Sequence, residues 1–514
     1  MDFSDKTKSD KFPLNDSHNV SKDRTTRISR RKFVVVGGVA VGVIVGSTLY
    51  YLSPVLRSLA DSLFKLGEKE TATTTVTQPL TIQDLQWTPL RIVNSKVYDG
   101  RVSFSVENLD PSADQITLDF DSYYPPEIPQ TAFTSEADRT YAFTGTGKKQ
   151  TFSQDIGNLI GGRQYRALVT VKDKNGKETV NYADTPYVRE FEKFAAKDVT
   201  VGVQYGTWWT YGAWRRSYPF SVTPILGNYD SRDMFVVNKQ IDMLTGFGGN
   251  AFLSFLNDAR SDSNTLSLFE SPLIDDVSIG LVYDVPYRLL GKDHGNVNLN
   301  DTAVKNKFEA DLKYLAQKYF ARKNYFRIKG MPVLYLYHAG ESFSGNVASV
   351  IKQVKESVRK ETGFDIFLIG ETVMFDSPSY TLVKPYDAVT RFGTFYNKDP
   401  SSEYPGGINN NEDNLRRLYQ RWSSYAHQLG VHFIPTAMPG FISIRPSEKN
   451  NPVLPKSTKR FAEQLKIGMD FLDDDIRCLF VTTWNDYAEN TNIEPTVQEG
   501  YGYLQTLRDT LAEQ

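Results

Sequence analysis

From residue 199 to the C-terminus, short apolar runs alternate with stretches in which apolar residues recur every three or four positions. The runs begin at Val199-Thr-Val-Gly-Val203, Ala251-Phe-Leu-Ser-Phe255, Ser278-Ile-Gly-Leu-Val282 and Pro332-Val-Leu-Tyr-Leu-Tyr337. Four more follow, at Ile366-Phe-Leu-Ile369, Ala388-Val389, Val431-His-Phe-Ile434 and Cys478-Leu-Phe-Val481. Runs of this length read as buried strands. Between them, Val347, Val350, Ile351, Val354 and Val358 keep a helical period, as do stretches 411–429 and 459–472. A helix over Met234–Leu244 follows Asp230-Ser231, which reads as its cap. Helices over 261–277 and 376–384 complete the count. Eight strand–helix repeats predict an α/β fold, a (β/α)8 TIM barrel over residues 195–514.

The pattern before residue 195 is different. Residues 80–194 hold short alternating strands at Arg101–Val106, Gln115–Phe120 and Arg166–Val171, and Lys174-Asn175-Gly176-Lys177 is a hairpin signal. They predict a small all-β sandwich. Residues 1–32 are polar and read as a disordered tail. Phe33–Leu52 carries no charge over 20 residues, enough to span a bilayer as a helix. Arg24, Arg27, Arg30, Arg31 and Lys32 precede it, which places that end in the cytoplasm. Without a small-x-small cleavage site after Leu52, an uncleaved signal anchor is expected, followed by a helical extension and a Thr-rich linker over 53–79. The chain is therefore expected in the cell membrane as a single-pass protein with its barrel outside the cytoplasm.

Composition narrows the chemistry. The 514 residues carry a net charge of −2, with no basic excess to draw nucleic acid. A single cysteine, Cys478, excludes an intrachain disulfide and reads as a core residue. The five histidines, His18, His294, His338, His427 and His432, form no HxxxH or HExxH pattern, so neither a metal nor a cofactor is expected.

In a TIM barrel the active site lies at the C-terminal ends of the strands. The residues there are Tyr205, Trp208 and Trp209 after the first strand, Asn257 and Asp258 after the second, and Tyr283 and Asp284 after the third. Tyr337 and His338 follow the fourth, Glu371 the fifth, Arg391 and Tyr396 the sixth. After the eighth come Trp484, Asn485, Asp486, Glu489 and Glu494. Asp486 and Glu489 are three residues apart, which in a helical turn puts both on one side. Two carboxyl groups at a strand mouth, one protonated and one ionised, are the equipment for cleaving a glycosidic bond. The alternative reading of the pair is a helix start, with Asp486 capping the turn.

Several segments carry resemblances. Ser29-Arg30-Arg31-Lys32-Phe33 resembles a twin-arginine export signal, which implies the twin-arginine or general export machinery as a partner. Leu159…Gly161-Gly162-Arg163-Gln164-Tyr165 resembles the fibronectin type III pattern, in which a tyrosine caps a corner of the sandwich. Pro224–Asp233, Gly330–Tyr337, Ile434–Phe441 and Trp484–Pro495 together resemble glycoside hydrolase family 99, the endo-α-mannosidase and endo-α-mannanase group. That resemblance implies that Asp486 takes the proton of the sugar's 2-hydroxyl and that Glu489 protonates the leaving oxygen. Asp486 stands where family 99 has Glu; Trp484-Asn-Asp-Tyr-x-Glu489 is similar instead to family 71, the α-1,3-glucanases. The resemblance implies a membrane-anchored, endo-acting α-glycosidase with a polysaccharide or glycan substrate. The alternatives are a non-catalytic glycan-binding or surface-scaffold protein and a glycosyl-transferring enzyme of surface-polymer assembly.

Overall fold

The structure, a computed structural model, describes residues 79–123, 139–214, 220–257 and 259–513. The expected tail, membrane span and linker all lie outside the described residues. Among the described residues no helix is long and apolar enough to cross a membrane.

Among the described residues, seven strands form the first part: β1 (Thr81–Val93), β2 (Lys96–Glu107), β3 (Gln115–Tyr123), β4 (Arg139–Phe143), β5 (Lys149–Ile156), β6 (Gln164–Lys172) and β7 (Glu178–Asp184). They make two antiparallel sheets, ordered β1-β2-β5 and β4-β3-β6-β7. Val102, Phe104 and Phe152 from one sheet share a core with Leu118, Phe120 and Val169 from the other. Alternation along β6 explains this: every second residue, from Tyr165 to Val171, is buried. The Tyr165 hydroxyl donates to Ile160 O (2.9 Å) and accepts from Ile160 N (2.9 Å), closing the chain's turn into β6.

The remainder is a parallel barrel. Its strands are β8 (Thr200–Tyr205), β9 (Ala251–Leu256), β10 (Ser278–Asp284), β11 (Met331–Tyr337), β12 (Phe367–Glu371), β13 (Ala388–Thr390), β14 (His432–Phe433), β15 (Thr436–Ala437) and β16 (Cys478–Val481). All eight apolar runs lie in this sheet. Pairing is parallel from β8 through β13. The seventh strand is split at Ile434-Pro435: β14 pairs with β13, and β15 pairs with β16, which pairs with β8. Because both pieces belong to one segment, the sheet returns on itself. Helices follow the strands: α1 (Met234–Gly246), α2 (Ala259–Phe269), α3 (Thr302–Leu315), α4 (Val347–Thr362), α5 (Tyr380–Val383), α6 (Asn411–Gln428), α7 (Thr458–Asp470) and α8 (Gly502–Ala512). The cap of α1 is Asp233, which accepts from Phe235 N and Val236 N, rather than Asp230-Ser231. The helix expected over 261–277 ends at Phe269, and that expected over 376–384 shrinks to α5.

Strand parity sorts the barrel's residues. Phe255, Val282, Tyr335, Ile369, Ala388 and Phe480 point into the barrel and form its interior. Their strand neighbours Leu256, Tyr283, Leu336 and Val389 point outward, under the helices. Cys478 belongs to the interior; burial pushes its thiol up to about 12, so it stays a neutral core group.

The segment joining the two parts is sewn to α1. Arg189 is buried and pairs with Asp242 (3.4 Å) and Asp276 (2.7 Å). Asp242 also accepts from Tyr187 Oη (2.9 Å) and Glu190 N (2.6 Å). A cut at Ala195 would leave Asp242 buried without these partners, a costly state.

Candidate active site

After β16 the chain folds back on itself instead of entering a helix. Thr483 N bonds Thr491 O (3.0 Å), and Glu494 N bonds Trp484 O (2.8 Å). Asn490, at φ 53°, takes the left-handed conformation that this reversal needs. Inside the loop, Asp486 Oδ1 accepts from Ala488 N (2.9 Å) and Glu489 N (3.0 Å). Asp486 therefore does cap a turn, and that turn places Glu489 beside it. The capping and the catalytic readings of this aspartate are compatible, since its second oxygen remains for other work.

That second oxygen meets Arg445, which the sequence reading missed. Arg445 Nη2 lies 3.4 Å from Asp486 Oδ2, and Nη1 lies 2.7 Å from Glu489 Oε1 and 3.2 Å from Glu448. The loop carrying Arg445 is aligned by main-chain bonds: Ile442 N donates to Glu489 O (2.9 Å) and Ile444 N to Ala488 O (2.9 Å). Arg445 sits in a connection after the seventh strand, far from any charged motif, and only the contact itself identifies it. Burial works against its charge, but Asp486, Glu489 and Glu448 outweigh that and hold it firmly cationic. Glu489 is shifted upward by burial first and then by the Asp486 carboxylate, while Arg445 pulls it back. One cation thus serves a close pair of acids, one of which takes up a proton far more readily than a free carboxyl.

Around this pair the mouth holds further acids. The Tyr337 hydroxyl is raised by burial first and then by the charges of Glu371, Glu489 and Asp284. Glu371 accepts from His338 N (2.7 Å) and Phe392 N (3.1 Å) and is raised by burial. Asp284 accepts from Tyr287 N (3.1 Å), and burial pushes it up to about 6. His338 stacks on Tyr337 (3.9 Å between centroids), and its Nδ1 is buried with no hydrogen-bond partner among the described residues. Asn257 Oδ1 is in the same condition. Unpaired buried polar atoms at a mouth are where a polyhydroxylated ligand would bond. The apolar wall is Trp208, Phe255, Tyr337 and Phe392, with Phe255 5.7 Å from Trp208 and 5.4 Å from Tyr337, and Phe392 5.0 Å from Tyr337. Phe255 also escaped the sequence reading, although parity with Leu253 marks it as inward-facing.

The structure takes other expected residues out of the mouth. Tyr205 and Tyr283 fall on the outward parity; their hydroxyls bond Gln240 (2.6 Å) and Asp311 (2.8 Å) behind the sheet. Trp209 is stacked on Trp214 (4.1 Å) and donates to Asn485 O (2.9 Å). Trp484 packs its ring on Phe252 on the outer side, so it does not shield Glu489. Asn485 spends its amide on Gly206 N (2.7 Å), Gly206 O (2.9 Å) and Tyr229 Oη (3.1 Å), clasping the first and eighth connections. Glu494 is buried and accepts from Tyr229 (2.8 Å), Tyr487 (2.6 Å) and Gln240 (2.8 Å); burial pushes it up to about 7. Tyr396 bonds its own loop at Asp399 O (2.7 Å). Arg391 braces Val373 O (2.9 Å) and Phe395 O (3.3 Å), although its charge still faces Glu371. Asp258 lies outside the described residues.

Known proteins resemble parts of this chain. A family model described as "Glycosyltransferase WbsX" matches residues 290–507. A solved structure described as a glycoside hydrolase-like protein superimposes with a TM-score of 0.51 at 18% identity, covering 64% of this chain and 97% of its own. At this identity the likeness speaks for the fold alone. The GH99 endo-α-mannosidase of Bacteroides thetaiotaomicron, in complex with Bis-Tris-propane, gives a TM-score of 0.49 at 16% identity, covering 61% and 96%. No curated protein matches the chain.

Proposed function

We propose that the chain is a glycan-processing enzyme, an endo-acting α-glycoside hydrolase, with Glu489 as general acid and Asp486 as base or charge stabiliser. The observation that carries this reading is the Asp486–Glu489 pair held by Arg445 at the C-terminal mouth of a parallel barrel. One acid is biased toward its protonated form and the other is held by a cation and two backbone N–H groups, the asymmetry that acid–base cleavage requires. Tyr337, His338, Trp208 and Phe392 supply a stacking and hydrogen-bonding surface of the kind pyranose rings use. We keep the chain's placement in the membrane by residues 33–52, with the barrel outside the cytoplasm, as part of this proposal. External protease on intact cells should digest the barrel. We also read the seven-stranded part as fibronectin type III-like, on its three-plus-four strand arrangement and the Tyr165 corner.

The description of the matching family model favours a second reading, glycosyl transfer at the same site. Incubation with α-mannan, α-1,3-glucan and surface glycans, followed by product analysis, separates the two. New reducing ends supports hydrolysis; a lengthened acceptor without them supports transfer. No turnover on any glycan, with binding retained, would instead assign a glycan-binding role.

A further inference from the structure

The opposite end of the barrel carries a second constellation that the proposed reaction does not use. His427 lies in the last turn of α6, His432 opens β14, and Asp473 and Asp475 precede β16. Asp473 Oδ2 is 3.0 Å from His432 Nδ1 and 3.0 Å from His427 Nε2. Single donor atoms of His432, Asp473 and Asp475 all lie within 4.8 Å of one another. The group lines a surface cleft of about 420 Å³.

We propose that this cleft is a binding site for a divalent transition-metal ion of the zinc class. Three donors, one imidazole and two carboxylates, already stand together, and the exposed His427, 3.0 Å from Asp473 Oδ2, supplies the fourth by turning its side chain toward the ion; two imidazoles with two carboxylates suit zinc or cobalt rather than calcium or magnesium. Ligands bonded tetrahedrally at roughly 2.0–2.2 Å stand about 3.4 Å apart, so the 3.0 Å separations need to open by only a few tenths of an ångström. The central ligand is already oriented. Asp473 Oδ1 accepts from Asp475 N (3.0 Å) and Ile476 N (3.3 Å), which leaves Oδ2 directed at the histidines. Asp473 and His432 form the sheltered side, with side chains 5% and 19% exposed, while His427 and Asp475 form the open side through which an ion enters.

One group opposes the ion. Lys329 Nζ lies 3.0 Å from His432 Nε2 and 3.3 Å from Asp475 Oδ2. Its ammonium occupies the acid's place of charge compensation and fixes the His432 proton on Nδ1, toward Asp473. On binding, the metal takes Nδ1, the ring proton moves through solvent to Nε2, and Lys329 turns outward on its long stem into water. Lys329 is 42% exposed and free to do so. The bound ion ties the end of α6 to the starts of the seventh and eighth strands, the two whose far ends carry Arg445 and the carboxylate pair.

The test uses the untagged full-length chain in detergent, stripped with chelator and titrated with cobalt(II). The expected result is a saturable visible absorption band of tetrahedral intensity at one ion per chain, displaced by zinc, with a melting temperature that rises with zinc concentration. His427→Ala and His432→Ala should each remove the band. His427 is half exposed, so its loss leaves the fold intact even where the His432 variant fails to fold. Lys329→Met should tighten cobalt binding severalfold, which a purely structural ion-pair cluster would not do. No band in the wild-type chain, an undiminished band in His427→Ala, or unchanged affinity in Lys329→Met would each overturn the proposal.

Discussion

Glu489 and Glu494 stand five residues apart in one loop, the first half-buried and the second buried, and both have pKa values raised mainly by burial. Their surroundings divide them. Glu489 faces a guanidinium and another carboxylate at an opening, with 15% of its side chain exposed. Glu494 is 1% exposed and enclosed by two tyrosine hydroxyls and a glutamine amide, with no ion pair among the described residues. A raised pKa is therefore common to the group proposed as acid and to a structural one. What separates them is access and a partner whose charge a substrate can rearrange.

The sharpest way to break this contrast is activity. Glu489→Gln should lower turnover on glycans with poor leaving groups by roughly 10² to 10⁴-fold and spare activated aryl glycosides. Asp486→Asn should hurt both, while Glu494→Gln should leave kcat nearly unchanged. Steady-state kinetics of the three variants decides it, and equal losses at 489 and 494 would erase the distinction. Next, Arg445→Met removes the cation that pulls Glu489 down. The alkaline limb of the pH–rate profile should move upward, with kcat reduced on the order of tenfold to a hundredfold; an unmoved limb would show that Arg445 does not govern the acid.

The third prediction concerns stability. Glu494 has a folded pKa of about 7, above its unfolded value, so the folded state holds this proton more tightly. Its contribution is complete below the unfolded pKa and is lost as pH rises from about 4.5 to 7. The decline is on the order of 3 kcal/mol for this group, and denaturant titrations across that range should show it flattened in Glu494→Gln. The smallest effect is Tyr487→Phe, which removes one donor to Glu494 and should cost about 1 kcal/mol with no change in the pH–rate profile.

Most of the barrel was legible because its strands are apolar on both faces and its helices keep a clear period. All eight runs lie in the sheet. The site was legible only in part. Position after a strand picked out Asp486, Glu489, Glu371 and Tyr337 as candidates, but it admitted Tyr205 and Tyr283 as well, since it ignored the two-residue alternation that turns them outward. Asn485 and Glu494 sit in the most distinctive stretch of the sequence, yet that stretch is distinctive partly because it must fold a tight loop. Arg445 could not be found by motif at all, because Asp486 and Glu489, the two acids it bridges, are more than forty residues away.

The pairing of residues 442 and 444 with the main chain of 488 and 489 carries a consequence for how this site tolerates change. Arg445 is aimed by amide and carbonyl groups that every residue except proline possesses. The side chains of Ile442 and Ile444 are thus free to drift while the guanidinium keeps its heading, and the loop's chemistry is insulated from the identity of its neighbours. A saturation library at 442, 444 and 445 should be permissive at 442 and 444 for all but proline, and restrictive at 445.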